Sequence, residues 1–335
     1  MTGLSMLEQA FDFPRQLQSG LAAAEAVALP ACQPRAVALC GFGGSAAGGR
    51  LLAALFADRL TVPVVVVDTT SLPGWVRADT LVVCTSYSGA TVETLALWDE
   101  AGDRGALRVA ITAGPLLHTR AQAGGAPCVV VEGGLQPRGA LGLLLAALSG
   151  VLAAAGAIPG AAAALHASIP AVQAAVSAER VDLAGARVEA ERLAGHVVVL
   201  YGSGARAAAA VRLKNQFNEN AKVAAFAGAL PEMAHNEVLG WLGAARQALP
   251  AAAIFLRDVA EPAAVADLND RIFGLVSGDV STVLEWRGTG LNELERALSL
   301  LVHGDVVSCL LADYEGVEAL DIARLTALKA HSAQD

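Results

Sequence analysis

Residues 35–55 read RAVALCGFGGSAAGGRLLAAL, and residues 195–215 read GHVVVLYGSGARAAAAVRLKN. Each opens with a short run of apolar residues. Each then turns through glycine and serine and closes in an alanine-rich segment of helical composition. A strand that is apolar on both faces belongs in a parallel sheet with helices over either side. The recurrence of strand, glycine turn and helix in the second half of the chain predicts two similar α/β units rather than one long sheet.

Outward from residues 35–55 the alternation continues. Strands are predicted at 62–68 (VPVVVVD), at TLVVCTS, at 107–112 (LRVAIT) and at 126–131 (APCVVV), with a helix from about 91 to 101. After residue 155 come two helical stretches to about 193. The 195–215 pattern follows, then strands at 251–258 and 280–286, each with helical sequence after it, and a helical C-terminus ending near Lys329. The expected fold is α/β, with two doubly wound parallel-sheet subdomains over residues 1–155 and 156–335 and a helical C-terminus.

Composition bounds the function. The 335 residues are 55% hydrophobic, 16% charged and 4% aromatic, with a formal net charge of -9. That is enough apolar material for one large core or two medium ones. No run of Lys and Arg interrupts the acidic balance, so a nucleic-acid partner is not expected. A single pocket for a small anion remains compatible with the net charge. The N-terminal MTGLSMLEQAFDFPRQL has no apolar stretch of secretory type. The segment ALGLLLAALSGVLAAAGAI, 140–158, is long enough to cross a bilayer. Its Ala- and Gly-rich composition, among alternating strands and helices, predicts instead a buried helix and no membrane partner. The five cysteines form no CxxC pair, and Cys40, Cys84 and Cys128 sit in strand-like runs. They are expected to be reduced core thiols of a cytoplasmic protein. Cys84 as a nucleophile is the competing reading, but no histidine lies near it in sequence.

Two polar loops follow predicted strands: GFGGS after 35–40, and SYSGAT within LVVCTSYSGATVET, 81–94. The second crowds the hydroxyls of Thr85, Ser86, Ser88 and Thr91 around one glycine. Ligands of open parallel sheets bind at the carboxyl ends of strands. Glycines let backbone approach a ligand, and the next helix offers unpaired N–H groups to an anion. Together the loops point to a phosphate site; the competing reading is a helix cap at Ser88 or Thr91. A dinucleotide fits less well. Gly41 and Gly43 would need a third small residue at Ala46, Asp68 lies too far along, and SYSGAT is left unexplained.

Three further stretches carry candidate chemistry. In LKNQFNENAK, 213–222, and just before it, Arg212, Asn215, Gln216 and Glu219 share one face at helical spacing. The face reads as a solvated surface or as a cleft in which Glu219 is the only acid; the asparagines, poor helix formers, favour the cleft. In ALPEMAHNEVLGW, 229–241, the spacing of Glu232, His235 and Glu237 matches no common zinc motif, so no metal is expected. His235 reads as structural or as a proton-transfer group. In GLQPRGAL, 134–141, Arg138 starts the apolar helix, either as a surface charge or where a substrate oxyanion could be met.

Taken in order, GFGGSAAGG, SYSGATVET, LQPRGAL, KNQFNENAK and LPEMAHNEVLGW resemble the bifunctional phosphoglucose/phosphomannose isomerases, which are built from two SIS (sugar isomerase) subdomains. A weaker HGDVVSCLLADYEGVEAL…LK pattern follows, so the resemblance covers nearly the whole chain. It implies an aldose-ketose isomerase that interconverts fructose 6-phosphate with glucose 6-phosphate and mannose 6-phosphate, with no cofactor and no metal. Gly44, Ser45, Ser86, Ser88 and Thr91 would hold the sugar phosphate. Arg138 would stabilise the enediolate, and Glu219 would move the proton between C1 and C2. His235 would assist ring opening from the neighbouring subunit of a homodimer, and Lys329 would reach the ring-oxygen side. Two positions depart from the family pattern: Ala90 replaces the Asn of SYSGNT, and Ile322 stands where some members carry a threonine linked to handling both C2 epimers. The alternative from another class is a non-catalytic sugar-phosphate binding protein, since SIS domains serve that role too.

Overall fold

The computed structural model describes residues 4–29 and 33–331. Five parallel strands form the first sheet: β1 (Ala36–Cys40), β2 (Val64–Val67), β3 (Thr80–Ser86), β4 (Leu107–Thr112) and β5 (Cys128–Val130), in the order β2-β1-β3-β4-β5. Helices connect them: α3 (Gly44–Leu55), α4 (Val92–Asp103) and α5 (Pro115–Ala123), following α1 (Met6–Phe11) and α2 (Phe13–Glu25) at the N-terminus. Every residue of β3 is buried, as its unbroken apolar run requires of a central strand.

Helices α6 (Leu141–Ala154), α7 (Ala161–Val181) and α8 (Leu183–Leu193) lead to the second sheet. Its parallel strands are β6 (Val197–Ser203), β7 (Ala225–Leu230), β8 (Ala251–Arg257) and β9 (Thr282–Arg287), in the order β7-β6-β8-β9. This is the first sheet's order without its last strand. Between and after these strands run α9 (Ala205–Gln216), α10 (Glu237–Arg246), α11 (Ala263–Ser277), α12 (Glu293–Tyr314) and α13 (Ala323–His331).

The apolar stretch 140–158 yields a helix of only 14 residues, α6, whose side chains are almost all buried. It packs on α2 and α3 as a core helix. Helices α7 and α12 are long and apolar enough to cross a membrane by length and composition, but α12 is mostly buried within the protein. Strand β7 had no counterpart in the sequence reading. Its AFAGAL lacks the β-branched residues that mark a strand, and as an edge it is buried only at its ends, Ala225 and Leu230.

Gly43 before α3 and Gly204 before α9 share one backbone geometry, φ 54 and ψ -125, so the repeat seen in sequence is also a repeat of conformation. Positive φ there suits glycine. The two turns differ in what stands beside them. In the second repeat Arg206, on the first turn of α9, donates to Asp258 at 2.7 Å, and Arg296 donates to the same carboxylate at 2.9 Å. Burial alone would raise the Asp258 carboxyl. Hydrogen bonds from Arg296 and the Ala260 N–H, with the charge of Arg206, outweigh it and hold the group below its ordinary value. Arg206, Arg296 and Asp258 thus form an ion cluster at the start of α9.

On α12, His303 is held by Glu179 of α7 at 2.9 Å and Glu189 of α8 at 3.0 Å. Burial opposes its protonation, but the two carboxylates prevail and push it up to about 9. A raised value means the stabilisation is complete below the unfolded pKa near 6.5 and is lost as pH rises through about 9. Thermal unfolding between those limits is therefore expected to show falling stability with pH, and His303→Gln should flatten that slope. An unchanged slope in the variant would assign the pH dependence elsewhere.

Candidate active site

Strands β1 and β3 are neighbours, paired at Cys40 and Cys84, while the chain leaves them in opposite directions across the sheet. That makes their carboxyl ends the switch point of the sheet, where a crevice opens. Both polar loops lie there. Thr91 stands at the N-cap of α4, yet its hydroxyl makes no cap bond; it shares a 3.0 Å hydrogen bond with Ser86 Oγ instead. The α3 N-terminus at Gly43 has no side-chain cap either. Neither helix N-terminus carries a side-chain cap, and hydroxyls cluster beside both, a setting suited to an anion; at α3 the Ser45 and Ala46 N–H groups donate to the carbonyls of Phe42 at 3.1 Å and Gly43 at 3.2 Å. Ser45 Oγ accepts from the Tyr87 N–H at 3.2 Å, which ties the loops together, and Ser88 is exposed at the mouth. Asp68, the acid a dinucleotide would need, is engaged by Arg50.

Gly44 sets the distance from this cradle to the next group. A Cβ on it would lie 3.0 Å from the Pro137 carbonyl oxygen and 3.2 Å from Arg138 Cα, so only glycine lets the loop rest on the arginine's backbone. Arg138 occupies a single turn just before α6 and is buried, not a surface charge. Its Nε donates to Asn220 Oδ1 at 2.8 Å and Nη2 donates to the Ala319 carbonyl at 2.6 Å. Its Nη1 stands 3.5 Å from a Glu219 carboxylate oxygen. Burial draws the guanidinium below its ordinary pKa, and the Glu219 charge opposes that.

Glu219 sits where α9 widens into a π-helical turn, Phe217–Ala221. Such turns recur at functional positions because they re-aim side chains. The widening also corrects the one-face reading. Arg212 and Gln216 are buried, whereas Glu219 and Asn218 line an open cleft with Lys222, Asp321, Ile322 and Leu325. The cleft volume is about 580 Å³, within the usual range of small-molecule sites. Arg212 instead donates to both oxygens of Asp305, at 2.9 and 3.0 Å, and to the Arg138 carbonyl at 3.0 Å. Asn220 donates to Ser308 Oγ at 3.0 Å.

Arg138 and Glu219 are thus brought together beside Gly44 and the hydroxyl loops. His235 is not: it is exposed after β7 and does not line the cleft. Lys329 falls in α13, with its side chain outside what the structure describes. Arg212, Asp305, Asn220, Ser308 and Lys222 are supporting residues to which sequence reasoning gave no such role. The only signal for the α12 pair was the HGDVVSC pattern, in which Asp305 and Ser308 stand one helical turn apart. Among the described residues no group of three or more His, Cys, Asp or Glu could hold a metal.

Clustered hydroxyls set one arginine away from an accessible carboxylate form an arrangement suited to a small anionic ligand and to proton transfer. Comparison with known proteins narrows that class. Residues 184–331 match the bacterial phospho-glucose isomerase C-terminal SIS domain. A bifunctional phosphoglucose/phosphomannose isomerase of Caldicellulosiruptor bescii is 30% identical over 331 residues, covering 97% of this chain and 98% of that protein. One of Aquifex aeolicus is 30% identical over 88% of this chain and 89% of its own. The fold matches that of tagatose-6-phosphate ketose/aldose isomerase from Escherichia coli, with TM-score 0.67, 15% identity and 95% of each chain covered. It also matches the C-terminal domain of glucosamine-fructose-6-phosphate aminotransferase from Francisella tularensis, with TM-score 0.72, 13% identity, and 94% of this chain and 97% of that one covered. The chain belongs to the bifunctional phosphoglucose/phosphomannose isomerase family.

Proposed function

We propose that the protein is an aldose-ketose isomerase that interconverts fructose 6-phosphate with glucose 6-phosphate and mannose 6-phosphate, needing neither metal nor cofactor. The observation that carries this reading is the buried Arg138 guanidinium 3.5 Å from the cleft-lining Glu219 carboxylate, with Gly44 packed against Arg138. The phosphate would rest on Gly44, Ser45, Ser86, Ser88 and Thr91, fixing the open-chain sugar. Glu219 takes the proton from C2 of the aldose and returns it to C1. As the C–H electrons move into the C1–C2 bond, negative charge gathers on the carbonyl oxygen, where Arg138 can stabilise it. The adjoining hydroxyl proton moves between the two oxygens as the new carbonyl forms at C2. The test is an assay of the purified protein with fructose 6-phosphate and EDTA, reading both aldose products. Formation of both, undiminished by EDTA, is expected; no conversion would overturn the reading.

The phosphate contacts come from residues 1–155 and the base from 156–335, so each sheet's unit has its own share of the work. Replacing Ser86 and Ser88 together by alanine is expected to raise KM for fructose 6-phosphate at least about tenfold, since each charge-assisted hydrogen bond contributes about 1.5–3 kcal/mol. An unchanged affinity for a sugar-phosphate inhibitor would remove the phosphate from these loops.

Ring opening needs an acid, and among the described residues no histidine lines this cleft. His235 is offered outward, and exposed apolar residues flank it: Phe226 on β7, Leu239 and Leu242 on α10. These support a two-fold dimer in which His235 serves the partner's cleft and Lys329 completes the site from α13. Mixing inactive His235→Ala and Glu219→Gln proteins, with subunit exchange verified, should restore up to about one quarter of wild-type activity, because half the dimers are hybrids with one intact site. No recovery would mean the site is not shared. The four described cysteines are free, which fits a cytoplasmic enzyme.

A further inference from the structure

We propose that Lys222 is a positioning residue that fixes the base: its ammonium staples the turn carrying Glu219 to the C-terminal segment that forms the opposite wall of the cleft. The inference rests on the isomerase reading above and on Glu219 as its base. Lys222 closes the π-helical turn with φ 59, the left-handed region usually left to glycine. A lysine kept there is kept for its side chain. That side chain curls back, and Nζ donates to the carbonyls of Glu219 at 2.9 Å and Asn220 at 3.3 Å. The same nitrogen donates to the carbonyls of Glu318 at 2.6 Å and Ala319 at 3.3 Å. An ammonium has three N–H donors. Its two short bonds, to Glu219 at 2.9 Å and Glu318 at 2.6 Å, commit the ammonium to backbone on both sides of the cleft.

What it does follows from where those carbonyls lie. The last carbonyls of a helix have no partners within it, and a cation at that end is favoured. The Ala319 carbonyl also receives Arg138 Nη2. Lys222 and Arg138 therefore grip one turn, 318–319, from which the chain runs directly into Asp321, Ile322 and Leu325 on the cleft wall. Without the ammonium, the backbone bearing Glu219 loses both its cap and its tie to that wall. The phosphate loops, on the other sheet, are untouched.

The expected result is a split between kcat and KM. Lys222→Gly removes the side chain while suiting the left-handed backbone. It should lower kcat at least tenfold and change KM for fructose 6-phosphate less than threefold. Lys222→Arg, which keeps several N–H donors and the charge, should stay within about fivefold of wild type. Ethylammonium chloride added to Lys222→Gly should restore activity, whereas sodium chloride at equal ionic strength should not; a purely structural loss would not respond to the amine. Circular dichroism and thermal unfolding check that each variant is folded. If Lys222→Gly keeps wild-type kcat, or loses it with no amine rescue while folded, the proposal fails. An inactive wild-type protein would instead remove the isomerase reading on which it stands.

Discussion

Glu219→Gln is expected to abolish isomerisation while leaving a folded protein that still binds sugar phosphate. Glutamine keeps the length and the hydrogen-bonding reach of the side chain and removes only its basicity. The position tolerates this. Glu219 is partly exposed on the cleft, and Arg138, 3.5 Å from its carboxylate, keeps its bonds to Asn220 and Ala319. General-base catalysis contributes roughly a hundred- to ten-thousand-fold, so kcat should fall at least a hundredfold with little change in inhibitor affinity. Steady-state kinetics with inhibitor binding on the same preparation measures both. Activity within a few-fold of wild type would show that another group is the base, and His235 would be the first to examine.

Arg138 is expected to matter nearly as much, for a different reason. Its guanidinium spends two donors on Asn220 and Ala319 and turns a third toward Glu219. A lysine has the charge but not the planar fork, and cannot hold both anchors while facing the cleft. Arg138→Lys should therefore lower kcat about a hundredfold, the usual effect of losing one preorganised donor to a developing oxyanion. The interaction is made to charge that exists only along the reaction path. Affinity for an enediolate mimic, such as a phosphorylated sugar hydroxamate, should thus fall in step with kcat/KM while substrate affinity falls less. Equal losses for substrate and mimic would make Arg138 an ordinary binding residue.

Much of the fold could be read because its strands are continuous apolar runs. Two of them, at TLVVCTS and LRVAIT, coincide with β3 and β4 end to end. The two polar loops could be read because glycine and hydroxyl residues fall at the ends of β1 and β3. What could not be read depends on partners far away in sequence. The Arg212–Asp305 and Asn220–Ser308 contacts join residues separated by 93 and 88 positions, and no local pattern signals them. Helical spacing failed at Glu219 because the π-turn rotates it away from Arg212 and Gln216. Strand β7 hid behind small residues, although the repeat of the first sheet's order predicts a strand in its place. His235, exposed after β7, lies outside the cleft lining, and nothing in its local sequence signals that.

Proton transfer at C2 by a carboxylate in this cleft has an isotopic signature. Fructose 6-phosphate converted by the wild-type protein in heavy water tests it most directly, with proton NMR of the glucose 6-phosphate formed. An enediolate route leaves the proton on the base long enough to exchange in part with solvent, so deuterium at C2 is predicted, and Glu219→Gln should show neither product nor label. No deuterium at C2 even after prolonged equilibration over many turnovers would mean that hydrogen moves directly between the carbons, and not by way of a carboxylate base.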